Sequence, residues 1–333
     1  MKQGVQANVR ILLAFATALV MATLLSVALH GSVSAVTNTA NTLKVSPVRS
    51  DIQILPGETK TVQTTVTNLT AATITVRPIE NDFTASDERG TPALILDADE
   101  YAPTHSLKRF MTPLQDVTIP AGQARNVNVI ITVPASAQAG GYYGAIRFAP
   151  TLPDGGGQVN LSASVASLIL LTVPGDVVEK LNLTDFDVQQ KGSSSPYFRT
   201  TNDIAATLRF ENKGNLQIGP FGKISVKKGD KVIYSYDFNT TDPRDVILPD
   251  TARRWDIPLD KLEGFGKYTV IASLAYGQEN QTVEAVKSFW IVPTAYIIGA
   301  AVVLVVLIGG TLITIKVVRS RKKRSARRSN NRF

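Results

Sequence analysis

A chain of 333 residues with no cysteine and only two histidines, His30 and His105, has few side chains for covalent or metal chemistry. Without Cys there is no thiolate zinc site, cysteine nucleophile, haem attachment or disulfide framework. His105, in EYAPTHSLKRF, would have to be the base of any Ser-His-Asp arrangement and the nitrogen ligand of any metal site. A histidine in a loop before a strand is the plainer expectation. Asp97, Asp99 and Glu100 in LDADEY have the Asp-x-Asp spacing with which loops offer oxygens to calcium. The further oxygen ligands and turn glycine of a calcium loop are missing, so the expectation is a solvated acidic turn, no metal and no cofactor. Paired carboxylates of the kind that hydrolyse glycosides meet only in the fold, and no pair is singled out.

Recognition by contact offers more. Tyr142 and Tyr143 in GGYYGAIRF lie on consecutive positions, so strand alternation sends one ring inward and leaves the other to stack on a sugar or a partner. Packing beside the neighbouring glycines is the competing expectation. Trp255 in ARRWDIPL has Arg253 and Arg254 beside it, a grouping frequent at interface hot spots, although a tryptophan buried in a β-sandwich reads as easily. Five Asn-x-Ser/Thr triplets, at Asn68, Asn160, Asn182, Asn239 and Asn280, are expected by chance in so threonine-rich a chain.

The elements that must position these residues alternate with period two. Val62, Thr64 and Val66 oppose Thr61, Gln63 and Thr65; Val127, Val129, Ile131 and Val133 oppose Asn126, Asn128 and Thr132. The pattern recurs in Ile204 to Phe210, in Val232, Tyr234, Tyr236 and Phe238, and in Tyr268 to Tyr276, which predicts half-buried strands. Pro56-Gly57, Pro120-Ala121-Gly122, Asp154 to Gly157 and Gly229-Asp230 punctuate them, the last closing a hairpin between Lys223–Lys228 and Lys231–Phe238. The serine-rich stretch from Gly192 to Pro196 reads as a loop. Some 255 residues of such strands are too many for one small sandwich and suit two, with a boundary near Pro174-Gly175-Asp176 after the apolar strand Val165 to Val173.

The ends are of another kind. Lys2 and Arg10 precede an apolar run from Ile11 to Leu29 and the small tripeptide Val33-Ser34-Ala35, the parts of a secretory signal, with an uncleaved anchor as alternative. Thr294 to Ile315 holds 22 uncharged residues; as a helix it is about 33 Å long, enough to cross a bilayer. Trp290 and Tyr296 flank its start, while Lys316, Arg319, Arg321, Lys322, Lys323 and Arg324 crowd its end, which places that end in the cytoplasm. The chain's net charge of +8 sits wholly in these termini, since the middle holds 24 basic and 27 acidic residues. Nucleic acid is therefore not an expected partner.

Four stretches together resemble the WxL-interacting proteins of bacterial surfaces: LKVSPVRSDIQILPGETKTVQTTVTNLT, IPAGQARNVNVIITVPASAQAGGYYGAIRF, TLRFENKGN and GFGKYTVIASLAYG, the last running through SFWIVP into the apolar helix. The resemblance implies an all-β ectodomain of two tandem Ig-like β-sandwiches. It divides the chain into a signal peptide (1–35), a spacer (36–41), a first Ig-like domain (42–175), a second (176–290), a transmembrane helix (291–315) and a basic cytoplasmic tail (316–333). It also implies that the first domain binds cell-wall peptidoglycan or another wall glycan and that the second binds a secreted or surface protein. A membrane-anchored scaffold that is not an enzyme is the resulting expectation. The alternatives are a wall-modifying hydrolase using carboxylates and an export chaperone acting by strand addition.

Overall fold

The computed structural model describes residues 42–151 and 164–329. The signal segment 1–35, the spacer 36–41, the Asp154–Gly157 turn, Asn160 and residues 330–333 of the tail lie outside the described residues, as do the side chains of Arg321, Lys322, Lys323 and Arg324.

The first half of the described chain supplies β1 (Leu43–Ser46), β2 (Arg49–Gln53), β3 (Thr59–Asn68), β4 (Ile74–Ala85), β5 (Pro92–Leu94), β6 (Val117–Ile119), β7 (Ala124–Thr132), β8 (Gly140–Pro150) and β9 (Val165–Val173). One sheet has the order β1-β3-β7, the other β2-β9-β8-β4-β5, with β6 also paired to β4. The alternation expected of β3 and β7 is the one observed: Val62, Thr64, Val66, Val127, Val129 and Ile131 point into a core that they share with Phe148, Ile169 and Leu171. Their intervening residues form an outward face of hydroxyls and amides around the exposed Ile130, cross-linked by Thr59–Thr132, Gln63–Asn128 and Thr65–Asn126 hydrogen bonds of 3.0, 3.4 and 2.9 Å.

The second half supplies β10 (Leu181–Gln190), β11 (Ser193–Ser194), β12 (Tyr197–Phe198), β13 (Ile204–Asn212), β14 (Phe221–Lys228), β15 (Lys231–Phe238), β16 (Ala252–Pro258), β17 (Gly266–Tyr276) and β18 (Gln281–Ile291). The sheets β11-β10-β13-β16 and β12-β18-β17-β14-β15 face each other across a core of Leu208, Phe210, Ile224, Val270, Tyr268 and Phe289, among others. The serine-rich stretch is less of a loop than its composition suggests, because Ser193 and Ser194 pair back onto Gln190 and Gln189. The β14–β15 hairpin forms around Gly229-Asp230 as expected. Its second strand departs from the expected burial: Phe238 reaches the core but Val232 and Tyr236 are exposed. β15 is a sheet edge, and the register shift between Val226 and Lys227 skips Ile233 and puts Val232 out of phase with Tyr234, which stays packed on the core.

Both halves end a strand on the same device. Asn68, at the close of β3, is fully buried and its amide donates to the carbonyls of Ala72, Ile119 and Pro120, while its oxygen accepts from Thr70. Asn212, at the close of β13, donates to Leu216 and Ile247 and accepts from Gly214. An amide carries both donors and an acceptor, so one side chain satisfies a buried loop that leaves the ladder.

β18 runs almost directly into α1 (Thr294–Ser329), of which Thr294–Arg319 is long and apolar enough to cross a membrane and has none of its apolar window buried in protein.

Candidate binding surfaces

Alternation along β8 sends Tyr142 and Tyr143 to opposite faces, yet neither ring is free. Tyr142 packs on the first core against Phe110, with ring centroids 4.8 Å apart, and its hydroxyl donates to the Gln138 carbonyl. Tyr143 points outward from that core and is still only 3% exposed, because the second half of the chain covers it. Its hydroxyl donates to Gln217 Oε1 at 2.9 Å, and burial pushes its pKa up, keeping the phenol neutral. Tyr143 is therefore not the ring left for a ligand, and Tyr142 keeps only a partial edge to solvent. The close packing explains the neighbouring glycine, since a Cβ on Gly141 would collide with the Tyr143 hydroxyl. His105 sits between the two rings in a left-handed conformation (φ 61°), and its Nδ1 donates to the Gly141 carbonyl.

What covers Tyr143 is a junction that sequence reading missed. Phe83, Ala145 and Leu170 from the first half form with Tyr143 and Leu248 a third apolar cluster. β9 is apolar on both faces for this reason: Ile169 and Leu171 enter the first core while Leu170 enters the junction. Polar contacts ring the cluster. Asn215 accepts from the Gly141 amide and donates to the Ala139 carbonyl, Gln217 reaches Thr172, and Arg49 donates to the Arg244 carbonyl at 2.8 Å. Glu88 takes a paired hydrogen bond from Arg209, 2.6 Å at the shorter contact, which holds the Glu88 carboxyl below its usual range and the guanidinium above its own.

Arg253, Arg254 and Trp255 lie at this junction or just behind it. The Arg253 guanidinium pairs with Asp245 at 2.9 Å, donates to the Val246 carbonyl and lies over the Trp255 ring; its Nε is buried without a partner. The Trp255 ring meets Phe210 and Phe238 edge-on and is half-buried. Arg254 is the most open of the three, binding Asp256 and Gln189, while its amide donates to the Glu88 carbonyl. A cleft of about 250 Å³ opens beside Arg253, floored by Phe83, Leu170 and Leu248.

The acidic turn is self-satisfied, with Asp97 Oδ1 accepting from the Asp99 amide. Among the described residues no group of three or more His, Cys, Asp or Glu side chains is arranged to hold a metal. Asp82 carries a role that spacing did not signal: fully buried, it accepts from the Ala102 and Lys108 amides and so ties the segment around His105 to β4.

Residues 33–150 match the family model described as WxL Interacting Protein, peptidoglycan binding domain. No curated protein matches the chain. Among solved structures, the class 5 fimbriae chaperone CfaA is similar at 13% identity and a TM-score of 0.36, over 75% of this chain and 99% of that one. The E. coli chaperone DraB is similar at 15% and 0.33, over 74% and 96%. A Salmonella enterica SafA pilin complex with the SafB chaperone is similar at 13% and 0.34, over 76% and 97%. Likeness at these scores carries no argument about the chain.

Proposed function

We propose that the chain is a membrane-anchored surface scaffold, its first unit bound to wall peptidoglycan and its second to a secreted or surface protein. The observation that carries this reading is the family match over residues 33–150. It binds and does not turn over its ligand. The N-terminal segment directs export and is removed, α1 anchors the product, and the lysines and arginines from Lys316 onward hold its end in the cytoplasm. The two strand groups are two Ig-like domains meeting between Val173 and Leu181.

Within the first unit we place glycan contact on the outward face of β1, β3 and β7. Its threonines, Gln63, Asn126 and Asn128 offer neutral donors and acceptors around the exposed Ile130, with Lys44 at the β1 edge. Tyr142, by its open edge, is the secondary candidate. Arg254 and the rim of the junction are the candidate contacts for protein. Co-sedimentation of the solubilised full chain with purified sacculi tests the assignment. Gln63→Ala with Asn128→Ala should weaken retention at least several-fold. Retention unchanged in the double variant would move the glycan site elsewhere.

A further inference from the structure

We propose that the end of the second unit from which α1 departs is a lipid-docking face, seated on the anionic phospholipid surface of the bilayer that α1 spans. The proposal rests on reading Thr294–Arg319 as a span.

Register places the parts. Tyr197 on β12, Trp290 on β18 and Lys267 on β17 are direct cross-strand partners, so the three side chains form one row. Their neighbours Phe198, Phe289, Ile291 and Tyr268 point into the core, which sends the row outward. Tyr197 is 60% exposed and Trp290 42%. The row lies at the end of β18, with Trp290 four residues before α1 begins. A loop closes the gap: Phe265, 47% exposed, has its ring 6.1 Å from that of Trp290 and 5.4 Å from that of Tyr296 in the first turn of α1. The loop itself is fastened, since the Tyr268 hydroxyl donates to the Glu263 carbonyl and Lys228 Nζ does so as well, at 2.7 Å. Aromatic rings of this kind favour the headgroup layer, with an apolar body and, for Tyr and Trp, a polar tip. Tyr197 lies about a hundred residues upstream of α1, so hydropathy around the span could not have found it.

Charge agrees. The tip of the β14–β15 hairpin holds Lys227, Lys228 and Lys231 around Gly229-Asp230 at the same end, because Lys228 pairs with Tyr268 and a Cβ on Gly266 would touch the Lys228 chain. With Lys267 and Lys261 these five lysines outnumber the four acids Asp203, Asp230, Asp260 and Glu263. Lysines near an anionic leaflet each add to attraction. Continuity with the span selects lipid over a protein as the occupant: α1 leaves from the middle of the patch, so a bilayer holding α1 covers it without further chain.

The native absence of cysteine permits single nitroxide labels in the full chain reconstituted in nanodiscs of phosphatidylcholine with phosphatidylglycerol. Three sites are compared: Tyr197→Cys, Glu279→Cys at the far end of β17, about 33 Å away along the strand, and Val305→Cys within α1. Accessibility to lipid-soluble oxygen and to an aqueous nickel chelate is read by power saturation. The Tyr197→Cys label should be reached by the chelate severalfold less than the Glu279→Cys label, and Val305→Cys should see oxygen alone. Replacing Lys227, Lys228, Lys231 and Lys267 by Gln should raise chelate access at Tyr197→Cys and leave Val305→Cys unchanged. Chelate access at Tyr197→Cys equal to that at Glu279→Cys, with Val305→Cys in lipid, overturns the docking face alone. Chelate access at Val305→Cys overturns the span and the docking together. An unchanged Tyr197→Cys label in the lysine variant removes the electrostatic contribution from the contact.

Discussion

Tyr142 and Tyr143 mark how far residue types reach. Alternation assigns them to opposite faces and the structure agrees, but which face meets water depends on a second unit that alternation cannot see. The same holds for Arg253, whose sequence neighbours suggest an open patch and whose guanidinium is tied to Asp245 and Val246. Asn68 was legible only as a glycosylation triplet, whereas its amide is a buried plug for three carbonyls. Asn68→Ala should therefore destabilise the first unit by about 3 kcal/mol, because the carbonyls stay buried and lose their donor. Urea unfolding of the solubilised chain checks this, and a shift no larger than that of an exposed Asn126→Ala control would contradict it.

At the scale of elements, the strands with clean alternation were legible. β3, β7, β13 and β17 bury the residues expected of them. β9 was legible as a long apolar strand, and the reason for its second apolar face, the junction through Leu170, lay outside any single-strand pattern. β15 misled because a bulge at Ile233 reverses its phase and an edge strand leaves side chains such as Tyr236 partly open, neither of which alternation reports. The Glu88–Arg209 pair gives the junction a pH dependence with a definite sign. The folded carboxyl titrates below its ordinary value, so the pair's contribution is complete above the usual carboxylate range and is lost as pH falls through the lowered value. The effect is modest, since both partners are partly exposed. A fluorescence pair spanning the two units should report a broader distance distribution in acid. Glu88→Gln should give that broader distribution already at neutral pH, and a distribution insensitive to both would remove the pair from the junction.

At the scale of the molecule, the β-rich middle and the apolar C-terminal helix were legible in outline, and residues 33–150 match the model of a peptidoglycan binding domain. The junction alters what that outline implies. Two strand groups that share Tyr143, Leu170 and Leu248 do not separate cleanly at residue 175, because cutting there exposes a buried apolar cluster. Wall and protein binding are therefore best assayed on the intact chain. Orientation has its own test: protease added to intact spheroplasts should digest the β-rich region and spare a tag placed after Phe333, and loss of that tag would reverse the topology. The central claim, that the first unit holds wall polymer, is tested most directly by titrating solubilised peptidoglycan onto the full chain in nanodiscs and following bound chain at equilibrium. Binding should be saturable, competed by unlabelled wall polymer and weakened by Gln63→Ala with Asn128→Ala. Binding no greater than that of empty nanodiscs would contradict it.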